Sequence, residues 1–143
     1  MTATPSPRIL ITISRKWSRW SVVRSALEQI HAQYPDAILV HGDCPDGDRT
    51  VAGMWKQMGG ADEPWPARWG SPCTKACNHK PRVKADGTEY CPVPGPARNA
   101  LMVESNPDMV MAFIRRESKG ATDTYNLAQG AGLNCREPYR QED

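Results

Sequence analysis

Arg8-Ile9-Leu10-Ile11-Thr12-Ile13-Ser14-Arg15 is the stretch on which the fold turns. Ile9 to Ile13 form a nearly unbroken β-branched and apolar run, as expected of a strand covered on both faces. The period then changes. From Ser21 to Tyr34, Val23, Leu27, Ile30 and Tyr34 recur at spacings of three and four, which describes an amphipathic helix stopped by Pro35-Asp36. Ala37-Ile38-Leu39-Val40-His41 repeats the buried-strand pattern and runs into Gly42-Asp43-Cys44-Pro45. Strand, helix and strand of this kind make a βαβ unit, whose crossover is right-handed and whose strands are parallel.

The same alternation continues. A second helix is predicted from about Asp48 to Met58, with Val51, Ala52, Trp55 and Met58 on one face and Gly59-Gly60 as its stop. The prolines near Glu63 to Pro66 restrict a third strand to the sheet edge. Periodicity vanishes from Trp69 to Pro94. Pro96 then suits the first turn of a helix containing Leu101, Met102 and Val103. Met109 to Ile114 is a further strand, followed by a helix from about Ala121 to Gln129 and a short strand near Leu133 to Arg136. The expected architecture is α/β: a Rossmann-like, doubly wound, mostly parallel sheet with a cysteine-rich, zinc-binding insert. It occupies residues 8–136 as one domain, with the insert at 70–94 and flexible tails at 1–7 and 137–143.

Composition narrows the function classes. A chain of 143 residues supports one core and not two. The net charge of +2, from 18 Lys and Arg against 16 Asp and Glu, is too small to argue for nucleic acid, which is not expected as a partner. No run approaches the roughly 18 apolar residues of a membrane span, so no membrane partner is expected. The segment Met1 to Pro7 has neither a charged start nor an apolar core, and a cytoplasmic location is expected. The oligomeric state stays open, a homo-oligomer included.

In an open parallel sheet, ligands bind beyond the carboxyl ends of the strands. Ser14, Arg15 and Trp17 follow the first strand, and Gly42 and Asp43 follow the second, with Asp48 just beyond. Arg98 and Asn99 lie in the first turn of the third helix. Gly120, Ala121 and Thr122, after Ser118-Lys119, put small residues and free N–H groups at a helix start, where a phosphate can approach. Arg15 can add a charge-assisted contact to the same anion, and Asp43 can accept from sugar hydroxyls. Each of these also has a plain structural reading as a turn glycine, a helix cap or a solvated helix face.

The segments Arg8 to Arg15, His41-Gly42-Asp43-Cys44-Pro45, Pro66-Ala67-Arg68-Trp69, Gly95-Pro96-Ala97-Arg98-Asn99 and Ala112-Phe113 through Gly120 resemble the DUF2493 group of the SLOG superfamily. These are small Rossmann-like domains related to the lonely-guy phosphoribohydrolases and the DprA domain. The resemblance implies a site for nucleotides or nucleotide-derived signals. The related phosphoribohydrolases cleave an N-glycosidic bond with an Arg matching Arg98 and a Glu in the helix after the phosphate loop. Here Thr124 stands at that Glu, with Asp123 and Glu117 nearby but out of register. Ile13 stands where the family has Gly, and Gly47-Asp48 replaces a Gly-Ala-Asp.

Three of the five cysteines lie in the insert: Cys73, Cys77 and Cys91, joined by His79. Zn²⁺ takes four tetrahedral N/S ligands, and three Cys with one His is an established structural set. Four protein ligands leave no position for water, so such a zinc is structural. The bland reading is a loop with incidental reduced cysteines. Lys75, Lys80, Arg82 and Lys84 make the insert basic, but Asp86 and Glu89 interrupt the run.

Three functions are therefore in play. The first is binding of a nucleoside phosphate or an ADP-ribose- or NAD-like ligand, for sensing or sequestration. The second is N-glycosidic hydrolysis of a nucleotide, with Arg98 and Asp43 as candidate catalytic residues. The third is a zinc-dependent nucleic-acid-binding module.

Overall fold

A computed structural model of the protein describes residues 6–66, 82–83, 89–90, 94–116 and 118–143. In chain order the elements are β1 (Arg8–Ile13), α1 (Trp20–Gln33), β2 (Ile38–His41), α2 (Asp48–Gln57), β3 (Ala61–Pro64), β4 (Arg82–Val83), β5 (Glu89–Tyr90), α3 (Pro94–Glu104), β6 (Met109–Arg115), α4 (Lys119–Gly130) and β7 (Tyr139–Gln141). The main sheet has the order β3-β2-β1-β6-β7, and every pair in it is parallel. β4 and β5 form a separate antiparallel hairpin, with Arg82 opposite Tyr90.

The apolar runs of β1 and β6 face helices on both sides. Ile9, Ile11 and Ile13 of β1 and Met109, Met111 and Phe113 of β6 pack with Val23, Leu27 and Ile30 of α1 and Val51 and Trp55 of α2. The alternate residues, Leu10, Val110, Ala112 and Ile114, pack with Met102 and Val103 of α3 and Ala121, Tyr125 and Ala128 of α4. Side chains that alternate across a strand thus supply two cores, and the result is a three-layer α/β sandwich. Strand order reverses direction between β1 and β6, which makes their carboxyl ends the switch point of the sheet.

Three expectations are corrected. The edge strand β3 starts at Ala61 rather than Glu63 and ends at Pro64, which has no N–H to offer the ladder. Near Leu133 to Arg136 there is only a bridge between Val110 and Cys135. The last strand lies instead in the tail expected to be flexible, where Tyr139, Arg140 and Gln141 pair with Phe113, Ile114 and Arg115. Pro138 separates bridge from strand, because its nitrogen cannot donate to β6. The Tyr139 ring stacks on Phe113 at 4.9 Å and 9°, and Gln141 is buried, donating from Nε2 to Ser18 Oγ at 2.8 Å. The helix expected from Pro96 begins at Pro94, since proline is tolerated in a first turn whose N–H groups lack helical partners.

Candidate ligand-binding site

The carboxyl ends of β1 and β6 are tied together through Ser14. Ser14 is buried; its N–H donates to the Phe113 carbonyl at 2.9 Å, and its Oγ accepts the Arg115 N–H at 2.8 Å. The Arg115 carbonyl in turn accepts the Ser118 N–H at 3.2 Å, as the chain turns into α4. Ser14 is thus a clasp between β1 and β6, and its polar atoms serve the fold. On the other flank, a Cβ at Gly47 would lie 2.9 Å from Ile13 Cγ2. Glycine at 47 therefore makes room for the isoleucine that replaces the glycine expected at the end of β1.

Gly42 is the centre of a second cluster. Its N–H donates to Asp48 Oδ2 at 3.0 Å, and the Cys44 N–H donates to the same oxygen at 3.2 Å. Its carbonyl accepts from Arg98 Nη1, which also donates to the Trp65 carbonyl at 3.1 Å. Arg98 Nε donates to Asn99 Oδ1 at 2.8 Å. A Cβ at Gly42 would stand 2.6 Å from Arg98 Nη1 and 2.9 Å from Asp48 Oδ2. Only glycine leaves space for the buried base and the buried acid on either side. Burial pushes the Asp48 carboxyl above its usual range, with the Cys44 and Gly42 N–H groups and the Arg98 charge opposing the rise.

His41, the last residue of β2, was not singled out by sequence. It is buried, with Nε2 2.8 Å from Asp62 Oδ2, while Nδ1 accepts the Asp43 N–H at 3.0 Å. A main-chain N–H can only donate, so Nδ1 carries no proton and Nε2–H donates to Asp62. The ring in this arrangement is the neutral Nε2–H tautomer. Lys56 Nζ lies 3.3 Å from Asp62 Oδ1. Desolvation raises the Asp62 carboxyl, but the hydrogen bonds from His41 and Lys56 outweigh it and hold the group below its ordinary value. The His41 bond also braces Asp43, whose φ of +58° is uncommon for a residue with a side chain.

The remaining site candidates divide. Trp17 is a core residue: its ring meets Phe113 edge-on at 5.5 Å and its Nε1 donates to the Arg19 carbonyl, so it offers no face for stacking a base. Asp43 accepts from Arg49 Nε at 3.0 Å. Arg15 is exposed beyond β1. Gly120 is exposed in the first turn of α4, and a Cβ there would meet nothing within 4 Å. Ala121 points into the core and Thr122 is half-buried. Ser118 precedes the helix without capping it through its side chain. Thr124 is buried, and its Oγ1 donates to the Gly120 carbonyl at 3.0 Å. Cys73, Cys77, His79, Cys91, Arg68, Trp69 and Glu117 lie outside the described residues. Asp62 and the Trp65 carbonyl enter the cluster by folding; no spacing in the chain links them to His41 or Arg98.

Residues 7–69, which run from the start of β1 to just past β3, match the profile of the YAcAr family, described as the YspA, cpYpsA-related SLOG family. Over that segment the chain is similar to the SLOG superfamily. A universal stress protein from Archaeoglobus fulgidus is a structural neighbour, at 14% identity and a TM-score of 0.45, covering 95% of this chain and 93% of that one. A search of curated proteins finds no match. No helix among the described residues is long and apolar enough to cross a membrane.

Proposed function

We propose that this protein, whose residues 7–69 match a SLOG family, binds a nucleotide or nucleotide-derived ligand, a nucleoside phosphate or an ADP-ribose- or NAD-like molecule, at the carboxyl edge of its sheet. Sensing or sequestration is the role this suits. One observation carries the reading: at the β1/β6 switch point, α4 starts without a side-chain cap, and Gly120 in its first turn is exposed with open space around its Cβ position. The first N–H groups of a helix and its dipole favour an anion there. Arg15 stands on the neighbouring loop, and the Gly42–Arg98 corner lies on the other flank of β1.

Binding is favoured over N-glycosidic hydrolysis. Thr124, at the position of the family's Glu, cannot act as a base and spends its hydroxyl on the helix. Asp48 Oδ2 is taken up by two main-chain donors, and Asp43 is paired with Arg49. We also propose that Cys73, Cys77, His79 and Cys91 hold a structural zinc. β4 and β5, which the sequence places between His79 and Cys91, pair antiparallel. Native mass spectrometry is expected to count one zinc per chain, lost on Cys77→Ser.

The test of ligand binding is calorimetric titration with AMP, ADP-ribose and NAD, alongside thermal shift. A ligand at about 100 times its Kd stabilises by about 2.7 kcal/mol. Gly120→Glu meets no obstacle in the fold and places a negative charge where the phosphate would sit; it is expected to abolish binding while the protein stays folded. Undiminished binding by Gly120→Glu rejects the proposal. Release of free base from AMP would favour the hydrolase.

A further inference from the structure

Asp143 is gripped by three arginines. Arg115 donates to its main-chain oxygen from Nη2 at 2.7 Å and from Nε at 3.3 Å, and Arg116 adds Nη2 to the same oxygen at 3.3 Å. Arg19 donates from Nη2 to Asp143 Oδ1 at 2.8 Å. Arg19 belongs to the loop after β1, and Arg115 and Arg116 to the end of β6, so the three guanidiniums meet at the switch point. Arg115 fixes this meeting by donating from Nη1 to the Lys16 carbonyl at 2.6 Å.

Three like charges brought together repel one another, and an acceptor between them offsets that cost. Here that acceptor comes from the segment following β7, and it is a makeshift one. The Arg19–Asp143 pair is exposed, with side-chain exposures of 53% and 70%, and exposed pairs are weak. Arg116 holds a φ of +52°, a left-handed conformation that costs a residue with a Cβ. Among the described residues its guanidinium donates to Asp143 alone. A phosphate group brings three acceptor oxygens and up to two charges to the same donors, and so engages them better than Asp143 does.

We propose that Arg19, Arg115 and Arg116 form an anion site for a phosphate group, which Asp143 fills as an intramolecular competitor. The incoming phosphate displaces Asp143 and takes over its donors. The segment after β7 thereby sets the threshold concentration at which the site loads. The nucleotide reading supplies only the ligand class, and inorganic pyrophosphate tests this site without it.

The experiment is calorimetric titration of the 143-residue protein with pyrophosphate at low salt. Asp143→Asn weakens the competitor and is expected to bind about two- to five-fold more tightly than the parent, the worth of one exposed pair. Arg116→Ala removes a charge-assisted donor and is expected to bind about ten-fold more weakly, with Arg116→Lys in between. Arg24→Ala, an exposed cation on α1, is expected to leave the affinity unchanged. Thermal midpoints without pyrophosphate check that each variant is folded. Equal affinities for Asp143→Asn and the parent, or equal losses for Arg24→Ala and Arg116→Ala, overturn the proposal. So does an absence of binding by both the parent and Asp143→Asn. If pyrophosphate follows the expected pattern while AMP, ADP-ribose and NAD fail to bind, this site stands and the nucleotide reading falls.

Discussion

Arg98 and Gly42, 56 positions apart in sequence, are joined by a hydrogen bond from the guanidinium Nη1 to the glycine carbonyl. The N–H of the same glycine donates to Asp48. Both main-chain polar groups of Gly42 are therefore held by buried charged side chains, one of each sign. The turn after β2 is rigid because an acid and a base grip one residue that has no side chain to separate them.

Gly42→Ala is expected to destabilise the protein by about 1–3 kcal/mol, the usual cost of overpacking. Arg98 is fixed on two carbonyls and Asp48 on two N–H groups, so neither can retreat cheaply from the new Cβ. Gly120→Ala has open space and sits in a helix, and is expected to stabilise by about 0.5–1 kcal/mol. Urea denaturation of the two variants checks the contrast; equal effects would contradict it.

Acid should act on two opposed sets of carboxylates. Asp62 and Glu63 (the latter held down by its hydrogen bond from Arg8) have folded-state values below their ordinary 3.8 and 4.5. They contribute stability above those ordinary values and lose it as pH falls through the folded ones. Asp48 is raised above 3.8, so the folded protein takes up its proton first, and its unfavourable charge is relieved as pH falls toward 3.8. Asp48→Asn keeps an acceptor for Gly42 and Cys44 but removes this relief. Its stability is expected to fall more steeply than the parent's as pH is lowered from neutral toward 3.8. Parallel pH–stability curves would show that Asp48 titrates normally.

The protonation of His41 is readable directly. With Nδ1 accepting from Asp43, long-range proton–nitrogen correlation at neutral pH is expected to show the Nε2–H tautomer, with Nδ1 unprotonated. A signal from the Nδ1–H form would mean that the Asp43 turn is not braced as described.

Tyr139 tests the segment after α4. Its stack on Phe113 covers the β1–β6 core, and Tyr139→Ala is expected to cost about 1–2 kcal/mol. A frayed tail would lose less than about 0.5 kcal/mol.

The elements readable from sequence were those with a strong period. β1, β2 and β6 are continuous apolar runs, and α1 and α2 carry apolar stripes, so their order and parallel arrangement follow from pattern alone. β7 escaped because Tyr139-Arg140-Gln141 has no apolar run. It is an edge strand held by one aromatic stack and one buried amide. In the site, Gly42, Asp48 and Arg98 were legible as residues at strand ends and a helix start, but their mutual grip was not. That depends on α3 crossing back over the sheet, which no local spacing encodes. The packing of Trp17 was not legible for a related reason: a loop position says nothing about which way an indole turns, and the Phe113 side chain that receives it lies in a different strand.

The proposed ligand binds where β1, β2 and β6 end. Nitrogen–proton correlation spectra of the labelled protein, titrated with AMP and with ADP-ribose, test it most directly. Shifts are expected at the main chain of Ser14 to Arg19, Gly42 to Cys44, Arg115, Arg116, Ser118 to Thr122 and Asp143. Unchanged spectra at millimolar ligand, or shifts centred on the opposite edge around Pro7, Asp36 and Asp108, would contradict it.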